Sequence, residues 1–121
     1  MKKLLTCIAV LVAIYGVAVA TVPPRRAIAK NGGVIGIGFW SGAACGSSAT
    51  DAARAIRHAV NVAGIDHVAL GSDFDGDKMA FDATGLVQIT EALLAQGFNE
   101  TEIRKIMGDN VARFLMNGLP E

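Results

Sequence analysis

The chain is poor in the side chains that bind metals: it has two cysteines and two histidines in 121 residues. These four residues, Cys7, Cys45, His58 and His67, cannot build the usual four-ligand structural zinc site at any recognised spacing. The chain is also short, and 121 residues exclude a two-domain enzyme. With 52% hydrophobic and 18% charged residues, it lacks the composition of a disordered protein.

Acidic residues are absent from the first 30 positions, which carry five bases and a net charge of +5. The remaining 6 of the 11 bases and all 11 acids lie in residues 31–121, whose net charge is −5. The formal net charge of zero is therefore the sum of two opposite segments. Because the acidic part has only scattered bases, the sequence gives no support for nucleic-acid binding.

The first 22 residues indicate a signal peptide or a membrane anchor. Lys2 and Lys3 precede an uncharged run at residues 4–22, and Ala-Val-Ala at residues 18–20 matches a cleavage site. The 19-residue run, at about 1.5 Å per residue, is also long enough to cross a bilayer or to form a buried helix. We expect an exported or membrane-anchored chain on the periplasmic or extracellular side, associated with the membrane through residues 4–22 if these are retained. If cleavage removes Cys7, no intramolecular disulfide remains.

After a basic linker at residues 23–30, the sequence predicts an α/β fold. Apolar runs at residues 33–40 and 67–71 are typical of buried parallel strands. Between them, apolar residues at helical spacing predict a helix, with a capping box at Ser48 and Asp51 and an end at Gly64. The three elements together predict a βαβ unit.

Two helices and a last turn or short helix are predicted after the second strand. The apolar stripe of the first, residues 86–96, is Leu86, Ile89, Leu93 and Leu94. The second is capped by Asn99 and Glu102, and its inward residues are Ile103, Ile106 and Met107. The last, residues 110–116, presents Val111, Phe114 and Leu115. Two parallel strands also leave unpaired edges, which self-association or a partner chain would cover.

The loop that leaves the second strand carries four aspartates, Asp73, Asp75, Asp77 and Asp82. Ligands in α/β folds bind at the carboxyl ends of strands, so a carboxylate directly after a strand is a candidate catalytic group. The alternative is that these aspartates are ordinary turn and capping residues.

Two other chemical interpretations of this loop were compared with its spacing. An EF-hand calcium loop that starts at Asp73 fails, because Lys78 and Thr84 occupy the positions that need glycine and glutamate. The Asp-x-Asp pattern of Asp73 and Asp75 is similar to the start of haloacid-dehalogenase-type phosphotransferases. In that family the pattern opens a domain, and Thr or Val is preferred where this chain has Asp77.

Three segments closely resemble the carboxyl-terminal part of the membrane (renal) dipeptidase family of zinc peptidases. They are AIAKNGGVIGIGFW at residues 27–40, IDHVALGSDFDG at residues 65–76 and IRKIMGDN at residues 103–110. The resemblance runs from Arg26 to Pro120. It implies a partial (β/α)₈ TIM barrel of the amidohydrolase type, about its last two β/α units, with residues 34–39 as the seventh strand and 68–71 as the eighth.

The resemblance implies a hydrolase of dipeptides in which two zinc ions share the attacking hydroxide. The proton-shuttling aspartate of the family corresponds to Asp73, and Asp75 is a weaker candidate that binds substrate or shapes the loop. The family's zinc ligands, which include a His-x-Asp pair, come from earlier strands and are absent from this chain. His58 lies within the predicted helix and His67 at the start of the eighth strand, so neither is expected to be a ligand.

The predicted function is therefore that of a dipeptidase-like metallopeptidase, a hydrolase that acts in proteolysis. We expect this chain to be incomplete and inactive alone. A complete barrel takes about 250 residues. A second hypothesis is a non-catalytic, anchored or exported remnant that needs a partner at its sheet edges. A third is that the chain acts on a dipeptide only when a separately encoded N-terminal piece complements it.

Overall fold

The computed structural model describes residues 24–76 and 80–120. The predicted leader or anchor at residues 1–22 and Asp77 lie outside the described residues and stay predictions. In chain order, the helices and strands are α1 (Pro24–Lys30), β1 (Ile35–Ile37), α2 (Ser41–Ala44), α3 (Ala49–Ala63), β2 (Val68–Leu70), α4 (Leu86–Ala95), α5 (Glu100–Arg104) and α6 (Asn110–Gly118). Two 3₁₀ turns, Ile65–His67 and Ala83–Gly85, and a π-helical turn, Lys105–Asp109, connect them.

The two strands pair in parallel, as the βαβ prediction requires, and Ile35 lies opposite Val68. Each strand is three residues long, shorter than the apolar run that predicted it. Where β2 ends, the Gly71 N–H donates to the Ile37 carbonyl at 3.0 Å. A Cβ atom on Gly71 would lie 2.9 Å from the carbonyl carbon of Gly36, so glycine permits this close backbone approach. The described residues thus form a helix-rich arrangement with a small parallel sheet, compatible with part of a dipeptidase-type domain; membership of a barrel remains a prediction.

Helix α3 begins and ends where the sequence predicts. The Ser48 Oγ accepts a hydrogen bond from the Asp51 N–H, and the Asp51 carboxylate accepts one from the Ser48 N–H, both at 3.2 Å. The hydrogen bond from the Ser48 side chain, followed by one from Arg54, lowers the pKa of Asp51. Gly64 ends the helix with a φ of +92°. The predicted capping box is therefore confirmed.

The hydrophobic core lies between α3, β2, α4 and the helices that follow. Its largest fully buried side chains are Phe39, Ile56, Val68, Ile89, Leu93 and Ile106. In α4 the predicted stripe is confirmed at Ile89 and Leu93, but Leu94 is 55% exposed and its prediction is wrong. Successive residues of a helix are rotated by about 100° about its axis. Leu94 therefore points away from the core that Leu93 contacts.

Helix α1 occupies most of the segment predicted as a basic linker, so this segment is helical; its role as a linker stays a prediction. Pro24 is its first residue, a position where proline fits because its fixed φ suits the helix and no N–H partner is needed there. Lys30 lies in the last turn, where a positive charge interacts favourably with the helix dipole. Seven residues are too few to show a clear apolar period, and the basic side chains therefore obscured this helix.

Residues 100–118 form one continuous helical run, from α5 through the π-helical turn to α6. The capping box of Asn99 and Glu102 at its start is confirmed by hydrogen bonds of 2.9 and 3.0 Å. The apolar side chains that α6 presents, Val111, Phe114 and Leu115, are 38–48% exposed. Within the described residues, no helix has both the length and the apolar character that a membrane span requires.

Candidate active site

The carboxyl ends of β1 and β2 meet over a cluster of three aromatic rings. Phe39 follows β1, Phe74 follows β2, and Phe81 lies later in the same loop. The centroid of the Phe39 ring is 5.8 Å from that of Phe74 and 5.5 Å from that of Phe81. Phe39 has no exposed surface, so the cluster extends the core beneath the loop. Phe74, which is partly buried against this core, therefore helps to hold residues 72–76 at this end of the sheet.

Asp73 is exposed and occupies the first position of a tight turn that begins three residues after the end of β2. The Gly76 N–H donates to the Asp73 carbonyl at 2.9 Å and closes the turn. Asp73 has a φ of +57°, in the left-handed region that few residues other than glycine, asparagine and aspartate adopt. The candidate catalytic carboxylate is thus held where ligands bind in α/β folds, on a backbone that is uncommon for a side-chain-bearing residue.

The other aspartates of the loop divide between two environments. Asp75 lies in the same turn as Asp73 and is exposed. Asp82 instead caps the turn Ala83–Gly85, because its Oδ1 accepts from the Thr84 N–H at 2.9 Å and from the Thr84 hydroxyl at 2.6 Å. The Thr84 hydroxyl, followed by its backbone N–H, lowers the pKa of Asp82. The capping interpretation therefore describes Asp82, while Asp73 and Asp75 share the turn at the strand end.

The residues of ranges 24–76 and 80–120 do not assemble a metal centre. Nowhere in these ranges do three or more His, Cys, Asp or Glu side chains lie close enough together to hold a metal ion. His58 lies within α3. His67 lies just before β2, where its Nδ1 is 2.8 Å from the Gly33 carbonyl oxygen, at the opposite end of the strand from Asp73. The donors described here therefore do not fit a two-zinc centre.

A buried asparagine that the sequence analysis did not select ties α6 to β2. Asn110 is 2% exposed, and its side-chain N–H groups donate to the carbonyls of Ile65 at 2.7 Å and Val68 at 2.9 Å. These carbonyls flank the start of β2. One sequence signal could have indicated Asn110, because it is a polar residue next to an apolar helical stripe. The sequence analysis interpreted it only as the start of a helix.

Charged groups also support the amino-terminal end of β2. The Lys105 Nζ donates to the Asp66 carboxylate at 2.7 Å, and the Arg113 guanidinium donates to the Asp66 backbone carbonyl. The hydrogen bond from Lys105 is the main reason that the pKa of Asp66 is lowered. Lys105 and Arg113 therefore support the segment just before β2, and the loop that carries Asp73 lies at the other end of the strand.

Comparison with known proteins identifies the family. The sequence model of the membrane dipeptidases, peptidase family M19, matches residues 26–117. The chain belongs to the membrane dipeptidase family. The match includes β1, β2, the Asp73 turn and Asn110. The resemblance inferred from the three sequence segments is therefore confirmed.

The relatives are considerably longer than this chain. An "Uncharacterized protein in pqqA 5'region" of Klebsiella pneumoniae is 35% identical over 103 residues, which cover 76% of this chain and 38% of that protein. "Dipeptidase tcpJ" of Claviceps purpurea is 39% identical over 66 residues, which cover 50% of this chain and 15% of that protein. The chain therefore spans well under half of either relative. No solved structure matches the chain.

Proposed function

We propose that this chain contributes the Asp73 turn to a dipeptide-hydrolysing site and is not a complete dipeptidase by itself. The observation that carries the proposal is the position of Asp73, exposed at the carboxyl end of β2 within the segment that matches the family. A relative named a dipeptidase supports the substrate class. The coverage of only part of each relative's length supports a site that needs further residues.

The role proposed for Asp73 is proton transfer. An exposed carboxylate at the end of a strand can accept a proton from the attacking water and return it to the leaving amine. Asp75, in the same turn, is proposed as a polar group near the substrate or as a residue that shapes the loop. Zinc, the metal expected from the family, would supply an activated water. Because the described residues do not fit a zinc centre, no step at a metal is assigned to this chain.

The partner and the location are part of the same proposal. We propose that residues 4–22 direct the chain out of the cytoplasm and that they hold it at the membrane if they are retained. The pair β1 and β2 is the whole sheet within the described residues. An N-terminal piece of the same family, encoded separately and carrying a His-x-Asp pair, is the partner proposed to cover its edges and to complete the site.

Dipeptide hydrolysis tests this function. The purified chain with added zinc is expected to show no turnover, whereas a mixture with such an N-terminal piece is expected to hydrolyse a dipeptide. Asp73→Asn should abolish the turnover of the mixture, and Asp82→Asn, which changes a capping carboxylate of the same loop, should largely retain it. Turnover by the chain alone would contradict incompleteness, and turnover that survives Asp73→Asn would contradict the role of Asp73.

The second candidate is a non-catalytic remnant that associates through uncovered surfaces. It is favoured by the short two-stranded sheet and by the exposed apolar side chains of α6, of which Phe114 is 48% exposed. In sedimentation experiments this candidate predicts oligomers or a mixed complex. A monomer that unfolds cooperatively would count against it.

A further inference from the structure

Gly76 closes the turn that holds Asp73, and its backbone has no need of glycine. Its φ lies outside the left-handed region, in contrast to the φ of +92° at Gly64. A residue with a side chain could therefore adopt the backbone conformation of Gly76. The reason for glycine must lie in the space around its Cα atom.

The Asp73 carboxylate fills that space. A Cβ atom on Gly76 would lie 2.5 Å from both Cγ and Oδ2 of Asp73, and closer still to Oδ1. The three nearest atoms thus all belong to one carboxylate, which lies folded back against the Cα atom of Gly76. Real Cβ atoms essentially never approach other heavy atoms this closely, so a side chain at position 76 requires the carboxylate to move.

The backbone of the turn is less free to move than the carboxylate. Phe74 packs against the rings of both Phe39 and Phe81, with a centroid 5.8 Å from that of Phe39 and 6.4 Å from that of Phe81. The Gly76 N–H is bonded to the Asp73 carbonyl. The Asp73 side chain, by contrast, is exposed and can change its χ1 rotamer at a small cost.

We propose that Gly76 is a positioning residue for Asp73: the space left by its missing side chain sets the direction of the carboxylate at the end of β2. The significance of this inference rests on the proposed function, because a proton-transfer group must point at its partner. Its geometry, however, is testable without substrate, metal or turnover. A larger residue at position 76 redirects the carboxylate and leaves the fold in place.

The test is the χ1 rotamer of Asp73 in the full chain, measured by NMR from the three-bond couplings of its Cγ to the backbone nitrogen and carbonyl carbon. The wild type is expected to show one rotamer. Gly76→Ala should give a different or averaged rotamer. Gly108→Ala is the matched control, because a Cβ atom there meets no heavy atom within 4 Å, and it should leave the Asp73 couplings unchanged.

If Gly76→Ala gives poor NMR spectra, a double-mutant cycle of Gly76→Ala and Asp73→Ala, measured by thermal unfolding, tests the same inference. The change in melting temperature caused by Gly76→Ala should be more negative in the wild type than in an Asp73→Ala background, where the clash is absent. Unchanged Asp73 couplings in Gly76→Ala, or an equal loss of stability in both backgrounds, would overturn the inference. Lack of dipeptide turnover would count against the proposed function alone, since neither measurement depends on it.

Discussion

Replacing Asn110 with alanine is expected to destabilise the fold more than any change at the surface of α6. The side chain is 2% exposed and donates to two carbonyls, those of Ile65 and Val68, at the start of β2. Alanine removes both hydrogen bonds and leaves two carbonyl groups without these donors. The substitution therefore removes the hydrogen bonds between the start of α6 and the start of β2, and it lies far from the aromatic cluster at the other end.

The magnitude follows from the bonds that are lost. Each hydrogen bond contributes about 0.5–1.5 kcal/mol net, and a buried polar group left without a partner costs about 1–3 kcal/mol. The Ile65 carbonyl is only partly buried, so water can replace one of the two bonds. A loss of about 2–4 kcal/mol in the free energy of unfolding is expected. Alanine also gains helix propensity over asparagine, which offsets up to about 0.7 kcal/mol of this loss.

Urea denaturation of the full chain, followed by circular dichroism, measures this difference. Asn117→Ala is the matched control, because it is exposed in the same helix and gains the same helix propensity. It should change the stability by less than about 0.5 kcal/mol. Equal unfolding midpoints for Asn110→Ala and Asn117→Ala, at equal slopes, would refute the reasoning.

A second variant at the same position tests the direction of the hydrogen bonds. Asn110→Asp keeps the shape of the side chain, but the ionised carboxylate can only accept hydrogen bonds and would face two carbonyl oxygens. Burial and these neighbours should raise its pKa in the folded state. The variant should therefore be relatively more stable at low pH and lose stability as the pH rises through that raised pKa. A stability difference from wild type that does not depend on pH would contradict this.

Two further predictions concern the sheet and its charged support. The pKa of Asp66 is lowered in the fold, so its bond to Lys105 should contribute stability above the ordinary value of 3.8 and lose it as the pH falls further. The difference in free energy of unfolding between wild type and Asp66→Asn should therefore decrease on acidification. It should be at most about 1 kcal/mol, because the pair is half-exposed. A difference that does not change with pH would contradict a stabilising role of the ion pair. Gly71→Ala should lower the free energy of unfolding by about 1–3 kcal/mol, because its Cβ atom would lie 2.9 Å from the Gly36 carbonyl carbon. Gly118→Ala is the control in urea denaturation, and an equal loss in the two variants would contradict this prediction.

Local rules were sufficient to predict several elements from the sequence. The helix start at Ser48 and Asp51 and the one at Asn99 and Glu102 depend on residues three positions apart, and both were confirmed. The parallel pairing of two apolar strands connected by a helix was also confirmed. The apolar runs and the length of the connection between them favour this arrangement. The family was also confirmed, because its three segments appear in order within residues 26–117.

Other features depend on contacts between residues far apart in the chain. Leu94 was predicted to lie on the apolar stripe of α4, but the packing around α4 fully buries Ile89 and Leu93 and leaves Leu94 55% exposed. The position of Asn110 beside an apolar helical stripe is compatible with burial, but it does not identify the partners of its side chain. Its partners, Ile65 and Val68, are more than 40 residues earlier, and only the folded chain brings them within hydrogen-bond distance.

At the candidate site, the sequence by itself determined that an aspartate directly follows an apolar strand and that the metal ligands of the family are absent. Only the tertiary structure decided that the Asp73 backbone is left-handed, that Phe74 holds the turn against Phe39, and that the carboxylate lies against Gly76. The physical reason is that a side-chain direction depends on the packing around it. A residue pattern specifies which group is present, and contacts between distant segments specify where that group points.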